Sequence, residues 1–244
     1  MKGIFKVAII GLIILLFIFY TIIPTVLIRK KSIGITKRLL EQKTLSLTFD
    51  DGPDPIYTIQ LLDLLKKYGV KATFFVVGHK VERHPEIIER MHKEGHTIGI
   101  HHYQHVSSWF LTPFALKKQL IKTEKAIREC IKEDVIFYRP PWGHFNVFTL
   151  LLSRKYQIIM WSDIFSDWKV HKVKGSLLER LRATNDSGSV LLLHDSGDTF
   201  GADIEAPRYM LESLEVYLKE SKQRGLTFTS LHEAYQNRHI KRVI

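Results

Sequence analysis

Two adjacent carboxylates, Asp50 and Asp51, end a short run in which Leu45, Leu47 and Phe49 alternate with polar residues, and Gly52 follows them. The alternation reads as a strand. Ionised carboxylates at the end of a strand are costly to bury unless a metal or a cation compensates them. Fifty residues on stand His101 and His105. Four positions apart, two imidazoles share one side of a turn or loop. With Asp51 they make three ligands and leave room for water, as a catalytic zinc site does. The same donors suit cobalt, manganese, nickel or iron. Asp50 is then the surplus carboxylate, placed to act as general base, and this makes the set catalytic rather than structural. The competing reading is surface or capping histidines, since the chain holds 12 His and His102 lies between the pair.

Further along, Arg139 precedes Pro140-Pro141-Trp142-Gly143. Near Asp50, its charge would favour the ionised carboxylate. The rigid loop after it could offer backbone N–H groups to a developing oxyanion. An ordinary salt-bridged surface arginine is the alternative. His194 ends the apolar run Leu191-Leu192-Leu193 and could give a proton to a leaving amine. A core histidine bonded to Asp195 is the alternative. Asp167 could orient His194, and Trp168 could wall the pocket or only pack the core.

These residues need a scaffold that brings them together. Strand-like runs rich in Val, Ile, Phe and Thr cover 45–49, 72–77, 96–101, 135–139, 157–162, 189–194 and 226–229. Amphipathic stretches lie between them. Leu61, Leu62, Leu64, Leu65 and Tyr68 form one face ended by Gly69, Thr112-Pro113 opens a helix to about 130, and 206–223 ends near Gly225. Such units predict an α/β fold, a parallel sheet of about seven strands closed or nearly closed into a distorted (β/α) barrel. An open doubly wound sheet is second, for no Gly-x-Gly-x-x-Gly follows a strand. Asp50, Asp51, His101, Arg139, Asp163, Asp167 and His194 fall at or just after the C-terminal ends of five of these strands, the edge where parallel α/β folds assemble active sites.

Residues 7–28 carry no charge. As a helix they reach about 33 Å, enough for a hydrocarbon core of about 30 Å. No Ala-x-Ala cleavage site ends the run, which favours an uncleaved transmembrane anchor over a signal peptide. The expected organisation is a short tail (1–6), the anchor in a lipid bilayer (7–28), a basic linker (29–43) and one domain (44–244). Of the net charge of +11, residues 1–44 hold +7, with eight Lys or Arg against Glu41. The domain keeps +4, which weighs against nucleic acid as a partner. Arg29, Lys30, Lys31, Lys37, Arg38 and Lys43 read as a polybasic flank for anionic lipid or wall polymer. By the positive-inside rule alone that flank would put the domain in the cytoplasm, whereas the chemistry below puts it outside. The single cysteine, Cys130, excludes an intramolecular disulfide and a Cys-rich zinc site.

Five segments in order resemble the polysaccharide deacetylases of the NodB-homology type, carbohydrate esterase family four: Thr48–Pro53, Gly95–His105, Arg139–Gly143, Trp161–Trp168 and Leu191–Asp195. The resemblance covers about residues 44–235. It implies a distorted (β/α) barrel and hydrolysis of an N-acetyl group on an amino-sugar glycan, with acetate released. It further implies Asp50 as base, a divalent metal (zinc foremost) on Asp51, His101 and His105, Arg139 tuning Asp50, and Asp167 paired with the general acid His194. Substrate or oxyanion contacts are implied for Pro141, Trp142, Trp168 and Leu192. Four positions depart from the family pattern. His102 stands where Ser or Thr is usual, Ile100 where Asn is common, Ile164 in the place of an acid at Asp163's neighbour, and Trp142 where Tyr is frequent. The expected enzyme is a membrane-tethered deacetylase of peptidoglycan or a related wall glycan, with an extracytoplasmic domain. A non-catalytic glycan-binding scaffold and a different metal-dependent amidase or esterase are the alternatives.

Overall fold

The computed structural model describes residues 2–40, 44–184 and 187–240. Among them nine strands form one sheet: β1 (Ile35–Thr36), β2 (Thr44–Asp50), β3 (Thr73–Val76), β4 (Thr97–Ile100), β5 (Phe137–Tyr138), β6 (Gln157–Ile159), β7 (Asp163–Ile164), β8 (Ser187–His194) and β9 (Thr227–Phe228). The order is β1-β6-β5-β4-β3-β2-β8-β7, with β9 added beside the start of β2, and every strand pairing is parallel. The sheet curls without closing, as the expected distorted barrel does.

Both faces of the sheet are covered, which is why its central strands are apolar throughout. Leu45, Leu47 and Phe49 of β2 pack outward with Phe74 and Val76 under the helices. Phe75, Phe137, Ile159 and Val190 fill the inside of the curl with Leu39, Leu231 and Ala234. The period of two then sets the site. Thr48 and Asp50, Phe137 and Arg139, and Val190, Leu192 and His194 share the inner face. In the β2–β8 register Asp50 lies directly opposite His194.

All seven expected strands are present. The run expected over 157–162 is shorter, β6 ending at Ile159, where Arg139 takes the carbonyls of Ile159 and Met160. The helices α3 (Tyr57–Tyr68), α4 (Pro113–Ile131) and α5 (Ala206–Gln223) match the amphipathic stretches. Gly69 closes α3 at φ 68°, and the Thr112 hydroxyl accepts the Ala115 N–H at the start of α4.

The start of the chain differs from expectation. Lys2–Lys31 forms one helical rod, α1 (Lys2–Phe17), a π-helical turn (Ile18–Ile22) and α2 (Ile23–Lys31). Among the described residues it is the one helix long and apolar enough to cross a membrane. Residues of α1 are not buried, but α2 lies on the domain. The Tyr20 hydroxyl donates to Leu111 O (2.8 Å), and Thr25 Oγ1 donates to Phe145 O (2.8 Å) and accepts from Trp109 Nε1 (2.9 Å). The basic stretch after it is not a free linker. Ile35 and Thr36 join β6, Leu39 N–H donates to Gly188 O (2.7 Å), and Leu39 enters the inner core. The apolar residues between the basic ones have a core to enter, so the segment folds with the domain. Residues 41–43, and Lys43 with them, lie outside the described residues.

Candidate active site

Asp50 and Asp51 sit where β2 leaves the sheet, both buried. Asp51 adopts φ 79°, a conformation that costs a non-glycine residue energy and is held by its surroundings. Its neighbour must be glycine for another reason. A Cβ on Gly52 would run into the Asp195 carboxylate.

His101, just after β4, and His105, four residues into the loop, converge on Asp51. Their Nε2 atoms lie 3.3 and 3.1 Å from Asp51 Oδ1, and the three ligand atoms are within 4.8 Å of one another. His101 Nδ1 is 2.8 Å from Arg139 O. With that nitrogen donating, the Nε2 lone pair points at Asp51. Burial lowers the pKa of His105, against the pull of Asp51, and keeps the imidazole in its neutral, ligating form. Burial would raise the pKa of Asp51, but the facing rings of His105 and His101 hold it well below the usual carboxylate range. Asp51 Oδ2 accepts from the Thr199 hydroxyl (2.6 Å), whereas the buried Oδ1 takes no hydrogen bond from any hydroxyl or backbone amide among the described residues. A buried carboxylate oxygen with two imidazoles and no other donor is what a divalent cation would complete, so the donor set fits a metal.

Arg139 is fully buried. It donates to Asp50 Oδ1 (2.7 Å), Thr48 Oγ1 (2.9 Å), Ile159 O (2.9 Å) and Met160 O (3.0 Å), with its guanidinium 4.1 Å from the Phe75 ring centre. It is no surface arginine. On the neighbouring strand β8, His194 donates its backbone N–H (2.7 Å) and Nδ1–H (2.9 Å) to Asp167. Burial would lower the His194 pKa, but Asp167, with Asp51 and Asp50 behind it, outweighs that and raises it to about 9. The partner of His194 is therefore Asp167. Asp195 turns away to the Thr58 hydroxyl, and burial raises its pKa to about 7.

His102 has a structural task. It is fully buried at φ 64°, bonded at 2.8 Å by Nδ1 to Val106 O and by Nε2 to the Tyr138 hydroxyl, and stacked on that ring. It braces the loop between the two ligating histidines.

Asp50, Asp51, His101, His105, Trp142, Trp168, Leu192 and His194 line one cleft of about 420 Å³. Arg139 and Asp167 stand behind Asp50 and His194. Pro141 is buried in the turn that carries Trp142 and is not in the lining. Asp163 is also apart, 3.9 Å from Arg38, and its neighbour Ile164 lines the cleft. Trp142 holds φ 56° and lays its ring 4.2 Å from that of His105. The cleft contains residues not singled out from sequence: Arg29, His144, Thr199 and Phe200. Lys80 was also missed. It is buried and donates to Asp51 O (2.7 Å) and Ser196 Oγ (2.9 Å) and to Asp198. The glycines of Ser196-Gly197-Asp198-Thr199-Phe200-Gly201 were the one cue to the Thr199 loop, and Arg29 had none beyond its charge.

The polysaccharide deacetylase family model matches residues 37–161. A peptidoglycan-N-acetylglucosamine deacetylase of Bacillus cereus is 34% identical over 202 residues, 81% of this chain and 91% of that protein. The peptidoglycan-N-acetylmuramic acid deacetylase PdaA of Bacillus subtilis is 33% identical over 198 residues, 79% of this chain and 72% of that protein. Among solved structures, the Bc1960 peptidoglycan N-acetylglucosamine deacetylase in complex with 4-naphthalen-1-yl-N-oxidanyl-benzamide superposes with a TM-score of 0.73 at 28% identity, covering 86% of this chain and 96% of that one. The chain belongs to the polysaccharide deacetylase family.

Proposed function

We propose that this member of the family is a metal-dependent hydrolase of N-acetyl groups on amino sugars of peptidoglycan or a related wall glycan. The observation that carries the reading is what one cleft brings together. A carboxylate base held by Arg139 and an imidazole acid held by Asp167 line it beside the Asp51-His101-His105 cluster. A divalent ion held there, zinc foremost, would polarise the acetyl carbonyl and acidify water. Arg139 occupies Asp50 Oδ1 and leaves Oδ2 as the oxygen that takes the proton of the attacking water. His194 enters protonated at working pH and gives its Nε2 proton to the departing nitrogen, while Asp167 holds Nδ1. The Trp142 backbone is assigned to the oxyanion, and Leu192 and Trp168, which line the same cleft, to the acetyl group. A glycan-binding scaffold would need neither Asp50 nor His194.

The apolar rod is assigned as a membrane anchor with the domain outside. The basic residues that argue otherwise have tasks in the fold. Arg29 lines the cleft, Lys37 donates to Arg29 O, and Arg38 donates to Ser189 Oγ (2.8 Å).

The test is acetate release by the full chain in detergent, stripped of metal and given zinc, cobalt, manganese or nickel singly. N-acetylglucosamine oligomers and peptidoglycan are the substrates and Asp50→Asn the control. Metal-dependent release that the control lacks is expected. Metal binding at the cluster with no acetate from any substrate would sink the reading. A reporter fused to the C-terminus that is active only in the cytoplasm would sink the outward orientation.

A further inference from the structure

Arg29 belongs to the last turn of α2, yet it forms part of the catalytic cleft. Its guanidinium lies 5.3 Å from the Trp161 ring centre, and no carboxylate among the described residues pairs with it. Its charge helps burial hold the His144 pKa down to about 4, so that neighbour stays neutral. A half-buried, stacked guanidinium without a counter-charge is a site in want of an anion.

A second recess supports this. It holds about 620 Å³ and shares Arg29, Trp161 and Ile164 with the catalytic cleft, so the two adjoin at these side chains. Lys37 and Arg38 complete a lining that includes three cations and no carboxylate. Arg38 already meets Ser189 and Asp163, and Lys37 reaches the Arg29 carbonyl. Arg29 is the cation turned to the junction between recess and cleft.

We propose that Arg29 and this recess bind an anionic substituent, a phosphate or carboxylate, on the same glycan whose N-acetyl group enters the cleft. The inference rests on the deacetylase reading and names its substrate class: acidic glycans over neutral ones. Stacking on Trp161 orders the guanidinium before the ligand arrives, so little side-chain entropy is lost on binding. Two sources supply such an anion. A wall polymer bears carboxylates. A lipid-carried sugar bears phosphate at the membrane surface, and the rod favours access to it. Phe17 packs on Trp109 and Phe110, and Phe110 and the nearby Phe114 are 73% and 87% exposed. Arg29 follows Phe17 by about 18 Å along the helix axis.

Three substrates separate the possibilities for the full, zinc-loaded chain in detergent micelles. They are neutral N-acetylglucosamine tetramer, muramic-acid-containing glycan strands, and an N-acetylglucosaminyl phosphodiester of a long-chain alcohol. The readout is the ratio of kcat/KM for acidic over neutral substrate at low and high salt. The wild type is expected to favour at least one acidic substrate, and Arg29→Gln to cut that ratio by about tenfold, the worth of one charge-assisted hydrogen bond. Arg29→Lys should keep part of the preference, and salt should weaken it. Whichever acidic substrate loses most identifies the source. A wild type indifferent to charge, or an unchanged ratio in Arg29→Gln, overturns the proposal. Should no substrate release acetate, the deacetylase reading fails instead. Equilibrium binding of the same three glycans to wild type and Arg29→Gln then decides the anion site alone.

Discussion

Replacing Asp167 by Asn removes a charge from behind His194 while keeping size and one acceptor oxygen. The carboxylate receives both the backbone N–H and Nδ1 of His194 at 2.7 and 2.9 Å, and with its neighbours it raises the imidazole pKa from 6.5 to about 9 against burial. Without it, burial is opposed only by the more distant carboxylates, and the value falls towards 6.5 or below. The protonated fraction at pH 8 would drop from about 90% to about 3%, but at pH 6 only from nearly all to about three quarters. If protonated His194 is the general acid, Asp167→Asn loses about 30-fold in kcat at pH 8 and less than about twofold at pH 6. A bound metal's charge lowers both pKa values together, so the pH at which each loss is read moves down with them while the separation stays. The assay is acetate release from pH 5.5 to 9.5 at fixed zinc. Parallel profiles, displaced by one factor at every pH, would refute the assignment of His194 as acid. Stability gives a second check on metal-free protein. The folded pKa lies above the unfolded one, so the contribution of the pair is full below about pH 6.5. It is lost as pH rises through about 9, a span worth roughly 3 kcal/mol. The variant's unfolding free energy should be flatter across that window.

Arg139→Met leaves Asp50 buried beside an apolar chain, and breaking a buried pair costs about 3–5 kcal/mol, read as a lower midpoint in thermal or urea unfolding. A midpoint unchanged would show that water reaches Asp50 freely. His102→Ala leaves Val106 O and the Tyr138 hydroxyl without their partner and frees the His101–His105 loop. Zinc affinity should weaken by about 10–100-fold, as for other residues that orient metal ligands, measured by competition with a chelator. An unaltered affinity would mean that the loop is braced elsewhere. Gly52→Ala forces a methyl into the Asp195 carboxylate, and overpacking of this kind costs about 1–3 kcal/mol. Unfolding measurements would show it, and a neutral effect would contradict the close approach of Gly52 and Asp195.

Residues whose chemistry conflicts with their local setting could be read from the chain. Asp50, Arg139 and His194 each end or follow an apolar run, where burial of a charge needs a reason, and parallel strands carry all three to one edge of the sheet. The strands themselves are legible because short runs rich in Val, Ile, Leu, Phe and Thr leave few other structures. β1 and β7 are not: the equally short β5 and β9 sit inside runs rich in Val, Ile, Phe and Thr, whereas neither Ile35-Thr36 nor Asp163-Ile164 does. Their pairing is decided by what the curled sheet leaves unpaired at its edges. His102 looked like a disturbance of the motif because a sequence shows the departure and not the Tyr138 hydroxyl it meets.

Arg29 is the more instructive failure. A basic residue after a long uncharged run already has a sufficient explanation in the lipid headgroup, so the sequence points to no further role for it. That explanation holds only where the rod ends before the domain begins. Thr21, Thr25 and Ile28 are buried against the domain one helical turn apart, and Arg29 follows Ile28. One face of the same helix therefore meets the protein while the other remains apolar and exposed at Val26 and Leu27. A soluble piece cut at residue 44 loses β1, the Arg29 side of the cleft and the contacts of Thr25 with Trp109 and Phe145. Such a truncation should bind zinc through Asp51, His101 and His105, whose supports lie downstream of the cut, yet lose discrimination between acidic and neutral glycans. Retained discrimination would place the anion contact on Lys or Arg residues of the domain rather than on the rod.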